Sequence, residues 1–84
     1  MNLLKWLFSS KKASPSFFIQ RGNELLYSGN EQYKEAIAEF SKAIELDAQC
    51  TEAYINRGMG YYFCGELELA GKDFHKSREI MARE

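Results

Sequence analysis

The stretch YINRGMGYYFCGELELAGKDFHKS (residues 54–77) echoes an earlier one, FIQRGNELLYSGNEQYKEAIAEFSKA (residues 18–43). Phe18 and Tyr54, Gly22 and Gly58, and Gly29 and Gly65 are each 36 residues apart. Tyr33 and Leu67, Ala36 and Ala70, Phe40 and Phe74, and Leu46 and Ile80 are each 34 apart. The offset drops by two after Gly29, so the first copy carries a two-residue insertion near 30–32, where GNEQY answers GEL. One supersecondary plan is written twice.

Spacing identifies the unit as a helical hairpin. Apolar residues recur at intervals of three and four, the period of one helix face. Four helices are expected, over residues 16–28, 31–47, 51–64 and 66–82. Ser14 or Ser16 is a candidate cap and Pro15 suits the first turn of helix one. Thr51 is the candidate cap of helix three. Gly29 with Asn30, and Gly65, tolerate the left-handed backbone at a helix end. Leu67, Ala70, Phe74 and Ile80 mark one side of helix four. Short connections make neighbouring helices antiparallel. Glycine inside a helix costs about 1 kcal/mol relative to alanine, so Gly22 and Gly58 imply a close crossing. Ala36 and Ala70 would supply small partners, and Phe18, Tyr54, Phe40 and Phe74 the flanking bulk.

This layout resembles the tetratricopeptide repeat, whose pattern is W-x2-L-G-x2-Y, then G, then A-x3-F-x2-A, then P. The first copy has Phe18, Gly22, Leu25, Gly29, Tyr33, Ala36, Phe40 and Ala43; the second has Tyr54, Gly58, Tyr61, Gly65, Leu67, Ala70, Phe74 and Ser77. The resemblance covers residues 16–83. It implies an all-α fold of two antiparallel hairpins, 17–50 and 51–84. A short apolar N-terminal helix over residues 1–9 and a polar linker over 10–16 precede them. Arg21 and Arg57 depart from the pattern's Leu, and Ala48 from its Pro. Each Arg has an acid beside the Phe of the second helix, so Arg21–Glu39 and Arg57–Asp73 pairs are expected. Ile37, Ala43 and Ile44 become Gly71, Ser77 and Arg78 in the second copy. That change reads as a solvent-facing terminal cap, so the array is expected to end at two repeats.

Charge is unevenly placed. Residues 1–23 hold Lys5, Lys11, Lys12 and Arg21 and no acid, whereas residues 24–84 hold seven bases against twelve acids. An acidic body does not suit nucleic acid. Cys50 and Cys64 lack metal-type spacing and read as structural thiols of a reducing, cytoplasmic compartment. The apolar run in residues 3–8 is far short of the roughly 20 residues of a membrane span, and the bases that follow it do not fit a secretory signal. Leu3, Leu4, Trp6, Leu7 and Phe8 would instead dock on the repeats, on another subunit of a homo-oligomer, or on a membrane surface.

No catalytic or metal-binding set stands out. His75 beside Lys76 reads as a surface residue without a ligand partner, and the glycines form no phosphate loop. No cofactor is implied, and the chain reads as a non-enzyme. By resemblance, the first helix of each repeat lines a concave face that binds a peptide or helix. That face would include Ile19, Asn23, Leu26, Tyr27, Ile55, Asn56, Met59, Tyr62 and Phe63. The other reading of these residues is that some cover an N-terminal helix or the place of an absent third repeat. Asn23 and Asn56 match the two asparagines with which one subset of the family grips a chaperone's C-terminal carboxylate. Ile19 stands where that subset has its first Lys, and the further basic pair has no counterpart, so a carboxylate clamp is not expected. The expected function is therefore a small adaptor or assembly factor. The alternative is a peripheral membrane protein targeted by residues 1–9.

Overall fold

The computed structural model describes residues 14–84. They form α1 (Pro15–Leu26), α2 (Tyr33–Leu46), α3 (Thr51–Phe63) and α4 (Leu67–Ala82), with no strand among them. The fold is all-α. Helices α1 and α2 make one antiparallel hairpin and α3 and α4 the other, while α3 also packs on α2 and, less extensively, on α1. The expected N-terminal helix over residues 1–9 lies outside the described residues.

Local chemistry sets the boundaries. Ser14 caps α1: its Oγ accepts from the Phe17 N–H at 3.2 Å, and Pro15 occupies the first helical turn. Pro15 and Ser16, assigned to the linker from composition, therefore belong to the helix. Thr51, the expected cap of α3, is the helix's first residue; Cys50 precedes it without a side-chain cap bond. The Thr51 Oγ1 is buried with no hydrogen-bond partner among the described residues. Helices α2, α3 and α4 instead carry Glu35, Glu52 and Glu68 in their first turns, where a carboxylate favours the helix dipole.

Gly29 and Gly65 make the left-handed turns, at φ of 83° and 82°. The second hairpin needs nothing more. The first spends its insertion on Asn30 and Glu31, and Glu31 also takes a positive φ, 56°. Ser28 braces this longer turn, its Oγ donating to the Leu25 carbonyl and accepting from the Asn30 N–H.

Each hairpin closes on a glycine. A methyl group at position 22 would overlap the Phe40 ring outright, and one at position 58 would stand 2.6 Å from Phe74 Cε1. The crossing expected between Gly and Ala is thus filled by the Phe itself, which lies on the glycine rather than beside it. Phe40 is completely buried, with Leu26 and Ala36 as core neighbours and Leu25, Tyr33 and Met59 around them. A second cluster joins Ile19, Ala43 and Ala53, flanked by Phe18, Ile44 and Cys50. Between the hairpins, Gly60 lets Ile37 approach: a Cβ there would lie 2.9 Å from Ile37 Cγ1.

The outer side of α4 matches the expected cap at two positions of three. Gly71 faces open space and Arg78 is exposed. Ser77 is instead buried, its Oγ donating to the Phe74 carbonyl at 2.7 Å. It fills the interior position that Ala43 fills in the first hairpin. Leu67, expected on the apolar side of α4, is 62% exposed, so that side begins at Ala70. The copies also diverge at their ends: Leu46 is 48% exposed and Ile80 only 3%.

Gly22→Ala and Gly58→Ala should each destabilise the chain by roughly 1–3 kcal/mol in urea denaturation, because a packed ring has nowhere to go. Gly71→Ala, facing no neighbour, should stabilise it by roughly 0.5–1 kcal/mol. Equal effects at the three glycines would contradict the packing described.

Candidate functional site

Helices α1 and α3 run side by side and present the face that the sequence singles out. Its centre is a hydrogen bond between the hairpins, from Asn56 Nδ2 to Asn23 Oδ1, at 2.9 Å. This pairing satisfies one amide group on each residue, and Asn23 Nδ2 and Asn56 Oδ1 have no hydrogen-bond partner among the described residues. Ile55 and Met59 stand half-buried beside it, with Met59 also packing on the Phe40 cluster. Tyr27 and Tyr62, the ring-bearing residues near the ends of α1 and α3, are 63% and 59% exposed.

Three of the nine residues expected on this face have other positions. Ile19 and Leu26 are core residues, because α1 turns them towards Ala43 and Ala53 and towards Ala36 and Phe40 respectively. Phe63 contacts Tyr33 of α2, with ring centroids 5.4 Å apart, as well as its neighbour Tyr62. It lines an open groove of about 750 Å³ between the two hairpin turns. Tyr33, Ile37, Tyr61 and Leu69 share that groove, and Glu31, Glu35, Glu66 and Lys34 give it a charged rim. Sequence spacing did not reveal this site, since it is assembled from the ends of three helices. The signal within reach was the apolar Leu69 beside Glu68 near the start of α4. The expected docking residues Leu3, Leu4, Trp6, Leu7 and Phe8 lie outside the described residues.

Both expected ion pairs form, with different geometry. Arg57 grips Asp73 with two parallel hydrogen bonds of 2.8 Å, Nε to Oδ2 and Nη2 to Oδ1. Its Nη1 donates to Ser41 Oγ of the preceding hairpin, and Tyr54 and Tyr61 flank the guanidinium at 5.8 and 5.7 Å. The hydrogen bonds that Arg57 donates to Asp73 raise its pKa above the ordinary value, against the lowering effect of burial. Arg57 is consequently a cation throughout the pH range of a folded protein. Arg21 reaches Glu39 only at 3.4 Å, and Lys42 reaches the other carboxylate oxygen at 3.5 Å. Glu39 Oε1 is buried without a hydrogen bond among the described residues. Arg57 has a preceding hairpin to enclose it, whereas Arg21 is half-exposed. Burial and bidentate geometry make the second pair the stronger one.

The other titratable features are dispersed. His75 sits 3.4 Å from Glu79 on the exposed side of α4. Cys50 and Cys64 are free and half-buried. No helix of the described residues is long and apolar enough to cross a membrane.

No family model, curated protein or solved structure matches this chain.

Arg57→Met should cost about 2–4 kcal/mol, since it leaves Asp73 buried without its cation. Arg21→Met should cost no more than about 1 kcal/mol. Chemical denaturation of both variants checks the ranking; comparable losses would contradict it.

Proposed function

We propose that the protein is a protein–protein interaction module, a small adaptor or assembly factor, whose α1/α3 face receives a peptide or helix. The observation that carries this reading is a pair of exposed large rings, Tyr27 and Tyr62, near the C-terminal ends of α1 and α3, the two helices that the Asn23–Asn56 bond joins. A ring and a polar handle on one residue give contact area at low entropic cost, which suits a recognition surface. The two remaining amide groups suit the backbone of an extended peptide. Met59 adds an adaptable apolar contact. The resemblance of both copies to tetratricopeptide hairpins points to the same face. The reading has no catalytic step and no cofactor, and it places the protein in the cytoplasm.

Two neutral amides supply no charge-assisted contact, which selects against a free carboxylate and for an internal segment. Asn56→Ala should weaken such a complex by roughly three- to tenfold, the equivalent of one net hydrogen bond. Tyr62→Ser should weaken it by at least about tenfold, as loss of a central anchor does.

Selection of a displayed random-peptide library on the full chain tests the proposal, followed by titration of the enriched peptides. Amide chemical-shift changes should fall on α1 and α3, and both variants should bind more weakly with unchanged helix content. Enriched peptides whose binding ignores Tyr27, Asn56 and Tyr62 would sink it.

A further inference from the structure

The groove between the hairpin turns is a second apolar surface, separate from the α1/α3 face. Phe63 is 42% and Leu69 39% exposed there, over a floor that includes Ile37 and Tyr33. Three carboxylates, Glu31, Glu35 and Glu66, rim it against the single cation Lys34. An occupant matching this surface carries large apolar side chains and several bases. One segment of this chain has that character. Residues 1–13 contain Leu3, Leu4, Trp6, Leu7 and Phe8 with Lys5, Lys11 and Lys12, and no acid.

Chain length decides which copy supplies it. Residues 1–13 join α1 at Ser14, whereas the groove lies past the opposite end of α1, beyond the turn that leads into α2. The twelve residues of α1 rise about 18 Å. Residues 9–13, fully stretched, reach about 17 Å. A copy would have to pull this linker taut to bring Phe8 level with its own groove, before crossing α2. A neighbouring copy has no such limit.

We propose that the groove lined by Phe63, Leu69 and Tyr33 receives the basic, apolar segment 3–12 of a second copy of this chain. The rings and leucines of that segment cover the exposed apolar floor, and Lys11 and Lys12 meet the rim carboxylates Glu35 and Glu66. Exchange between two copies is reciprocal, so the assembly closes as a dimer. Salt weakens it, because the rim charges are solvent-exposed.

Sedimentation equilibrium of the full chain, with Trp6 fluorescence over the same concentrations, tests this; Trp6 is the sole tryptophan. The expected result is a reversible dimer whose formation shifts Trp6 emission to the blue. Glu35→Lys with Glu66→Lys, both on exposed positions, should weaken dimerisation by at least about tenfold while leaving helix content intact. Adding Lys11→Glu with Lys12→Glu to that variant should restore most of the affinity. Phe63→Ser should weaken the dimer by a similar factor. A chain that stays monomeric throughout, or a dimer whose affinity the charge reversal and Phe63→Ser leave unchanged, would overturn the proposal. A monomer with Trp6 already shielded at the lowest concentration would overturn it as well, by placing the segment on its own chain. Peptide binding at Tyr62 is read separately, so either outcome here leaves the α1/α3 assignment standing or falling on its own test.

Discussion

An aromatic ring pressed onto a glycine backbone closes each hairpin. Phe40 on Gly22 and Phe74 on Gly58 bring two helix axes as close as a ring allows, because no Cβ intervenes. Everything else is arranged around that approach. Ala36 is buried next to the Phe40 ring, where little room is left, and Ala70 is buried at the matching place in the second hairpin. Leu26 and Met59 then fill the space between one hairpin and the next. The glycines weaken their helices locally, and in the first hairpin the burial of the whole Phe40 side chain, worth roughly 1.5–3 kcal/mol, more than offsets this.

Two copies of one plan need not be used alike. Arg21 and Arg57 occupy the same register, yet only Arg57 is enclosed, because Ser41 of the first hairpin reaches it from behind. Its fork ties α3 to α4 and, through Ser41, to α2. The cation that locks the second hairpin therefore also fastens it to the first. Asn23 and Asn56 add a tie between α1 and α3. Specific polar contacts thus fix how the hairpins sit on each other, while the apolar contacts determine that they do.

Most of the architecture was legible because repetition removed chance. A glycine 36 residues from another, each followed by a Phe in register, signals a packing requirement. The same logic found the Arg–acid pairs and the Gly71 and Arg78 surface. It failed where the copies part. Ser77 looked polar and therefore outward, but a serine can bond its own helix carbonyl and stay inside. Ile19 and Leu26 were assigned to a face by analogy, although the turn of α1 points them inward. Gly60 has no counterpart in the first copy, where Glu24 stands, so repetition gave no hint of its contact with Ile37. The groove at Phe63 escaped for a related reason: periodicity describes one helix at a time, and three helix ends make that surface.

Ile37 sits in a notch that Gly60 provides, and Gly71 holds the equivalent place on α4 with empty space before it. The seam between the hairpins is therefore a portable joint, made of a branched side chain on one helix and a bare backbone on the following one. Rebuilding that joint on α4 with isoleucine at 71 and an apolar residue at 78 would turn its outer surface into a seat for another hairpin cut from residues 51–84. The molecule is in this sense a building block in which one part of the stacking rule is written in two residues.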